Sequence, residues 1–219
     1  MKKQIPFLAL SMWLAVGIHL AANAYTAQDA RNSLGSGDYD RDLRISKENI
    51  STAKSKEELV SYLTVMSDVY KYKRQDALSI PCLTPLGLVD KSDTGNLPFL
   101  HHKRGNAYSS VGNLQLALAD YGAVVSAKIG PRPMINVLKD RALLYARMNQ
   151  YDKAIADLNL SLKLTDSLLG ARDAVSNIMR VRGDKVQLLN MRSKMYDKSG
   201  KIEEAKRDRS AADKLSDEL

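Results

Sequence analysis

Along most of the chain the apolar residues recur at the three- and four-residue steps of a helix, not in the alternation of a half-buried strand. Leu59, Tyr62, Leu63, Met66, Val69 and Tyr70 share one helical face. Ser55-Lys56-Glu57-Glu58 in front of them has the form of a capping box, so the pattern predicts a helix from about residue 56 to 76. Val175, Ile178, Met179, Val186, Leu189 and Tyr196 keep the same spacing. They predict, with the helix that ends before Gly170, an extended hairpin around residues 165–185 whose tip near Leu168 and Leu169 projects from the rest. Between Pro81 and Pro98 the pattern stops. Pro85, Gly87, Asp93, Gly95 and Asn96 there predict a loop, and Asn96 and Pro98 suit a helix start. The apolar positions are filled by leucine, alanine, valine and tyrosine, a palette that favours helices, so an all-α chain is expected.

The first residues follow another rule. Lys2 and Lys3 precede an apolar stretch from Ile5 to Ala22, and Ala22-Asn23-Ala24 offers the small residues that a signal peptidase accepts. Residues 1–24 therefore read as a signal peptide cleaved between Ala24 and Tyr25. The apolar heart, Phe7 to Ile18, is 12 residues long, whereas a spanning helix needs about 20. No cysteine lies near the cleavage point, which argues against a lipoprotein. The expected product is an exported protein, periplasmic or secreted, soluble and without a stable membrane span after processing.

Beyond this segment one set of offsets occurs three times: a small residue, tyrosine three later, a turn residue four after that, and alanine five further on. The copies are Gly105, Tyr108, Gly112, Ala117; then Ala142, Tyr145, Asn149, Ala154; then Ser193, Tyr196, Gly200, Ala205. Glycine and asparagine are the residues that adopt the left-handed conformation closing a helix, so each copy predicts two antiparallel helices around a corner. The small residues let the two backbones approach. Each hairpin leaves one apolar face that only another hairpin can bury, so the units stack. Gly37-Asp38-Tyr39-Asp40 looks like the corner of a degenerate further copy, with Asp42 where the alanine belongs.

The segments RGNAYSSVGNLQLALADYGAVV and DRALLYARMNQYDKAIADLNLSLKL resemble tetratricopeptide repeats, and MRSKMYDKSGKIEEAKRDRSAA is a more polar relative of them. The resemblance implies a right-handed superhelix of stacked antiparallel hairpins. It assigns repeats to about 98–132, 135–168 and 186–219, after an N-terminal helical region and loop at 25–97. The chain departs from the family where a tryptophan is usual, having His101, Leu138 and Leu189 there. Arg209 replaces an aromatic residue, as a polar cap on the last helix would.

Composition narrows the chemistry. The 219 residues carry 33 lysines and arginines against 25 acidic residues, a net +8. That falls to +6 over 195 residues once the leader is removed, a modest excess interspersed with carboxylates. No nucleic-acid partner is expected of such a chain, least of all an exported one. One cysteine, Cys82, and the adjacent histidines His101 and His102, which point to different helix faces, provide no metal site. No phosphate loop or nucleophile elbow is present, and neither cofactor nor enzymatic activity is expected. Arg182-Gly183-Asp184 matches an adhesion tripeptide but falls inside an apparent helix.

The resemblance further implies that the first helices of the repeats line a concave groove for peptides. Counted from the corners, its side chains are Phe99, His102, Asn106 and Ser109, then Asn136, Lys139, Leu143 and Arg147, then Gln187, Asn190, Lys194 and Lys198. The candidate binding set is His102, Asn106, Lys139, Arg147, Asn190 and Lys194, and the expected partner is a protein or peptide presenting an acidic segment or a C-terminal carboxylate. Two other readings stay open on sequence alone. One is an accessory subunit or small enzyme using Asp68, Tyr70, Lys71, Tyr72 or Cys82; the other is a basic protein associating with anionic envelope polymers.

Overall fold

The computed structural model describes residues 37–85, 96–170 and 178–218. The predicted leader, its cleavage point and residues 171–177 of the expected hairpin lie outside them, whereas Leu168, at the expected tip, is described and packs on the Leu158–Leu188 cluster. Nine helices are present among the described residues: α1 (Tyr39–Ile50), α2 (Lys56–Tyr72), α3 (Asp76–Leu83), α4 (Asn96–Ser110), α5 (Leu114–Ser126), α6 (Pro131–Arg147), α7 (Tyr151–Leu169), α8 (Ile178–Lys198) and α9 (Ile202–Ser216). Each packs on its neighbours in sequence, so the fold is a linear stack of hairpins.

The corners explain the order. The positive-φ residues among those described are Gly37, Arg74, Gly112, Asn149 and Gly200. They are 37, 38, 37 and 51 residues apart. At four of them the residue after the corner donates its backbone N–H to the carbonyl of the tyrosine four before the corner. These are Gln75 to Tyr70, Asn113 to Tyr108, Gln150 to Tyr145 and Lys201 to Tyr196, at 2.8, 2.8, 2.9 and 2.9 Å. This bond closes the last turn of each first helix around orphan carbonyls, which is why the chain reverses there.

Arg74 therefore marks a hairpin that the sequence pattern did not disclose. The helix expected to reach residue 76 ends at Tyr72, and the expected loop from Pro81 begins as the last turn of α3. Ser67, Tyr70, Arg74 and Ser79 repeat the small, tyrosine, corner, small offsets, with both serines buried. Pro81 lies inside α3, two residues before its end. At the other end of the series, Gly37 has φ +80° and Asp42 is wholly buried, in register with Ala117, Ala154 and Ala205. The Ser55 hydroxyl caps α2 by accepting from the Glu58 N–H at 3.1 Å, while Glu58 reaches back to the Lys54 N–H.

Among the described residues the core is divided into several clusters. Small apolar clusters follow one another along the stack, from Val65 and Val69 against Leu43, through Leu83 with Leu100, to Tyr121 and Val124 on Val137 and Leu144. The last unites Leu158 and Leu162 of α7 with Leu188 and Leu189 of α8 and Ala212 of α9. Of the second helices, α3, α5 and α7 are thus each packed between their own first helix and the next one. At 19 and 21 residues, α7 and α8 are the longest of the nine helices.

Candidate functional site

Each of the last three hairpins is pinned by the same three side chains. An arginine eight residues before the corner makes two hydrogen bonds to an aspartate eight residues after it, and lies over the ring of the tyrosine four residues on. Arg104 bonds Asp120 at 2.8 and 2.7 Å, Arg141 bonds Asp157 at 2.8 and 2.7 Å, and Arg192 bonds Asp208 at 2.7 and 2.6 Å. The guanidinium carbons are 5.8, 5.8 and 5.6 Å from the centroids of Tyr108, Tyr145 and Tyr196. The aspartates are buried, so they need these forks, and the carboxylate bonds raise each arginine's pKa further. These residues were missed as a set from sequence, although arginine at minus eight and aspartate at plus eight stand in all three copies.

The six sequence-derived candidates all fall on first helices, and four of them hold neighbouring chain elements. His102 donates to Asp140 of α6 at 2.7 Å and meets the Tyr121 ring edge-on. Asn106 accepts from the Tyr121 hydroxyl at 2.6 Å. Burial raises the pKa of that hydroxyl, with the nearby charge of Asp140 adding to the effect. Arg147 reaches from α6 to α4, donating to the Ser109 carbonyl at 2.7 Å and its hydroxyl at 3.0 Å. Lys139 donates across to Gln187 of α8 at 3.1 Å. The Asn190 and Lys194 side chains have no partner among the described residues, and Lys194 is exposed.

Charge divides by helix. First helices α4, α6 and α8 hold twelve lysines and arginines against three aspartates. Second helices α5, α7 and α9 hold six against eight acidic residues. From α4 onward the first helices therefore carry the basic excess, whereas α2 holds two lysines against three acidic residues.

Four of the five residues considered for catalysis, Asp68, Tyr70, Tyr72 and Cys82, have structural occupations, and Lys71 is exposed. Cys82 is buried against Met66 and Tyr70, its thiol donates to the Leu78 carbonyl at 3.4 Å, and burial raises its pKa to about 11, so it stays protonated near neutrality. Burial also raises Tyr70. Asp68 pairs with Lys103, and Tyr72 stacks on Tyr39 with centroids 5.1 Å apart. Among the described residues no group of three or more metal-ligating side chains gathers, and no helix is long and apolar enough to cross a membrane. Arg182-Gly183-Asp184 lies within α8.

Comparison with known proteins agrees with this geometry. A family model for the tetratricopeptide repeat matches residues 140–167, the end of α6 and most of α7. No curated protein matches the sequence. Among solved structures, MamA residues 41 to the end from Desulfovibrio magneticus RS-1 align with TM-score 0.67 and 16% identity, over 90% of this chain and 99% of that one. Another MamA crystal structure aligns with TM-score 0.67 and 14% identity, over 92% and 98%. A Podosopora anserina chain described as a kinesin light chain, with nearly identical TPR-like repeats, aligns with TM-score 0.68 and 13% identity, over 87% and 92%. At these identities the likeness establishes the fold: the chain is an all-helical superhelix of tetratricopeptide-repeat type.

Proposed function

We propose that this protein is an exported, non-catalytic adaptor that binds a partner protein through the face of its first helices, taking an acidic segment or a C-terminal carboxylate. The observation that carries the reading is the charge division between first and second helices from α4 onward, which favours an acidic partner. A solenoid has no enclosed interior in which to build a water-free reaction centre, but it has a long continuous side on which to lay another chain. Export rests on Lys2, Lys3 and the apolar run ending at Ala22-Asn23-Ala24. Its test is N-terminal sequencing of the protein recovered from outside the cytoplasm, which should begin at Tyr25; a chain beginning at Met1 contradicts it.

The binding reading is tested by capture from cell-envelope extract with purified protein beside a Lys139→Glu/Lys194→Glu variant. A protein held by the wild type and lost by the folded variant supports it, and equal retention by both overturns it.

A further inference from the structure

The hairpin closed at Arg74 lacks the device that pins the three after it. Eight residues before that corner stands Met66 and eight after it Cys82, where the later hairpins have arginine and aspartate, and the two pack with Tyr70 in one apolar cluster. Arg74 holds φ at 60° without being glycine, and the buried small residues on either side of the corner are Ser67 and Ser79. Helix α3 is 8 residues long and contains Pro81, which has no N–H to give to the helical ladder. Apolar contact therefore does at this hairpin what charge-assisted forks do at the later ones.

Helix α1 belongs with this pair. Leu43 packs on Val65 and Val69 and, with Ile50, on Met66, Tyr70 and Cys82; Tyr39 stacks on Tyr72, and Lys73 pairs with Asp40. The tie from α1–α3 to the rest is thinner. Its buried apolar part is Leu83 with Leu100, flanked by Val60 and Leu97. Beside them Leu63, Cys82 and Pro85 help to border a pit of about 10 Å³, so packing at this junction is incomplete. On the first-helix side the ion pair of Asp68 with Lys103 spans the same junction. The later junctions are broader. Tyr121 and Val124 meet Val137 and Leu144 while His102 and Arg147 bond across, and Leu158 and Leu162 meet Leu188 and Leu189 while Asn159 accepts from Arg192.

We propose that α1–α3 form a separately opening unit, which comes away from α4 and unfolds as one while α4–α9 stay folded, with the Asp68–Lys103 pair as the latch on the junction. Opening bares Leu83 and Leu100, exposes Cys82 and parts Lys103 from its carboxylate. A stack of like hairpins frays from both ends. This one opens from a single end, because α8–α9 at the other end carries the Arg192–Asp208 fork.

The chain supplies its own probe, since Cys82 is its one cysteine and is buried within the unit. Burial also keeps its thiol protonated near neutrality, so a disulfide reagent reaches it only in the opened state. In the full-length protein, labelling of Cys82 at increasing urea should be followed beside helical circular dichroism. It should report an opening at least about tenfold more frequent than global unfolding, with under about half the urea dependence. Lys103→Met should speed labelling by about threefold or more. Arg141→Ala, which loosens a forked hairpin, should lower the global unfolding midpoint yet change labelling by less than about twofold. In hydrogen exchange, amides of α2 and α3 should share the opening seen at Cys82, and those of α8 and α9 should keep the protection of α6 and α7. The proposal is overturned by labelling that tracks global unfolding, by an unchanged rate in Lys103→Met, by Arg141→Ala speeding labelling as much as it destabilises the whole, or by α8–α9 opening as readily as α1–α3.

Discussion

Arg74 occupies a left-handed backbone position (φ 60°) that costs an ordinary L-residue about 1 kcal/mol or more. Its side chain is exposed, so Arg74→Gly should raise the urea midpoint by the equivalent of about 0.5–1 kcal/mol, and an unchanged or lower midpoint contradicts the corner assignment. The opposite holds at Gly105, where an added Cβ would meet the Tyr121 ring at 2.6 Å. Gly105→Ala should destabilise by about 1–3 kcal/mol, because Tyr121 is walled in and held by Asn106. Titration supplies a third test. Burial raises Cys82 from 9.0 to about 11, so the folded chain holds that proton more tightly than the unfolded one. The resulting stabilisation is complete below pH 9 and is lost as pH climbs through 11. Unfolding midpoints measured from pH 8 to 11 should fall, and should fall less in Cys82→Ala.

At the scale of elements, the arginine forks decide how firmly each hairpin closes. Arg141→Ala leaves Asp157 buried with neither of its two donors, at a cost of about 2–3 kcal/mol. Arg141→Lys cannot form the fork and should recover only part of that. If the losses for Arg141→Ala and Asp157→Ala simply add in the double variant, the two residues are not the closure device described above. Three corners were legible in the sequence because Gly112, Asn149 and Gly200 are residue types with a reason to turn, each following a tyrosine by four. The Arg74 corner was hidden by an arginine where glycine belongs, by Ser79 where alanine recurs, and by Pro81, whose usual meaning is the end of a helix. The forks were hidden differently: charged residues 16 apart on an amphipathic helix pair look like solvated surface until the corner folds them together. Of the candidate site, the choice of first-helix stripe was readable from corner counting, but the bonds of His102, Asn106 and Arg147 to neighbouring elements depend on how hairpins stack.

Over the whole molecule, the proposed binding reading rests on the separation of charge between first and second helices from α4 onward. A chain with +8 overall has an unremarkable balance. Placing twelve cations and three aspartates on three first helices makes that same balance into a directional surface. Association with an acidic partner should then be fast at low ionic strength and slow as salt screens the charges. The measurement that tests the account most directly is capture from envelope extract by the wild type, by Lys139→Glu/Lys194→Glu and by Lys163→Glu/Lys214→Glu, each verified as folded. The account predicts one retained protein, kept by the wild type and by the second-helix variant and lost by the first-helix variant. Retention of the same protein by all three, or equal loss from both variants, contradicts it.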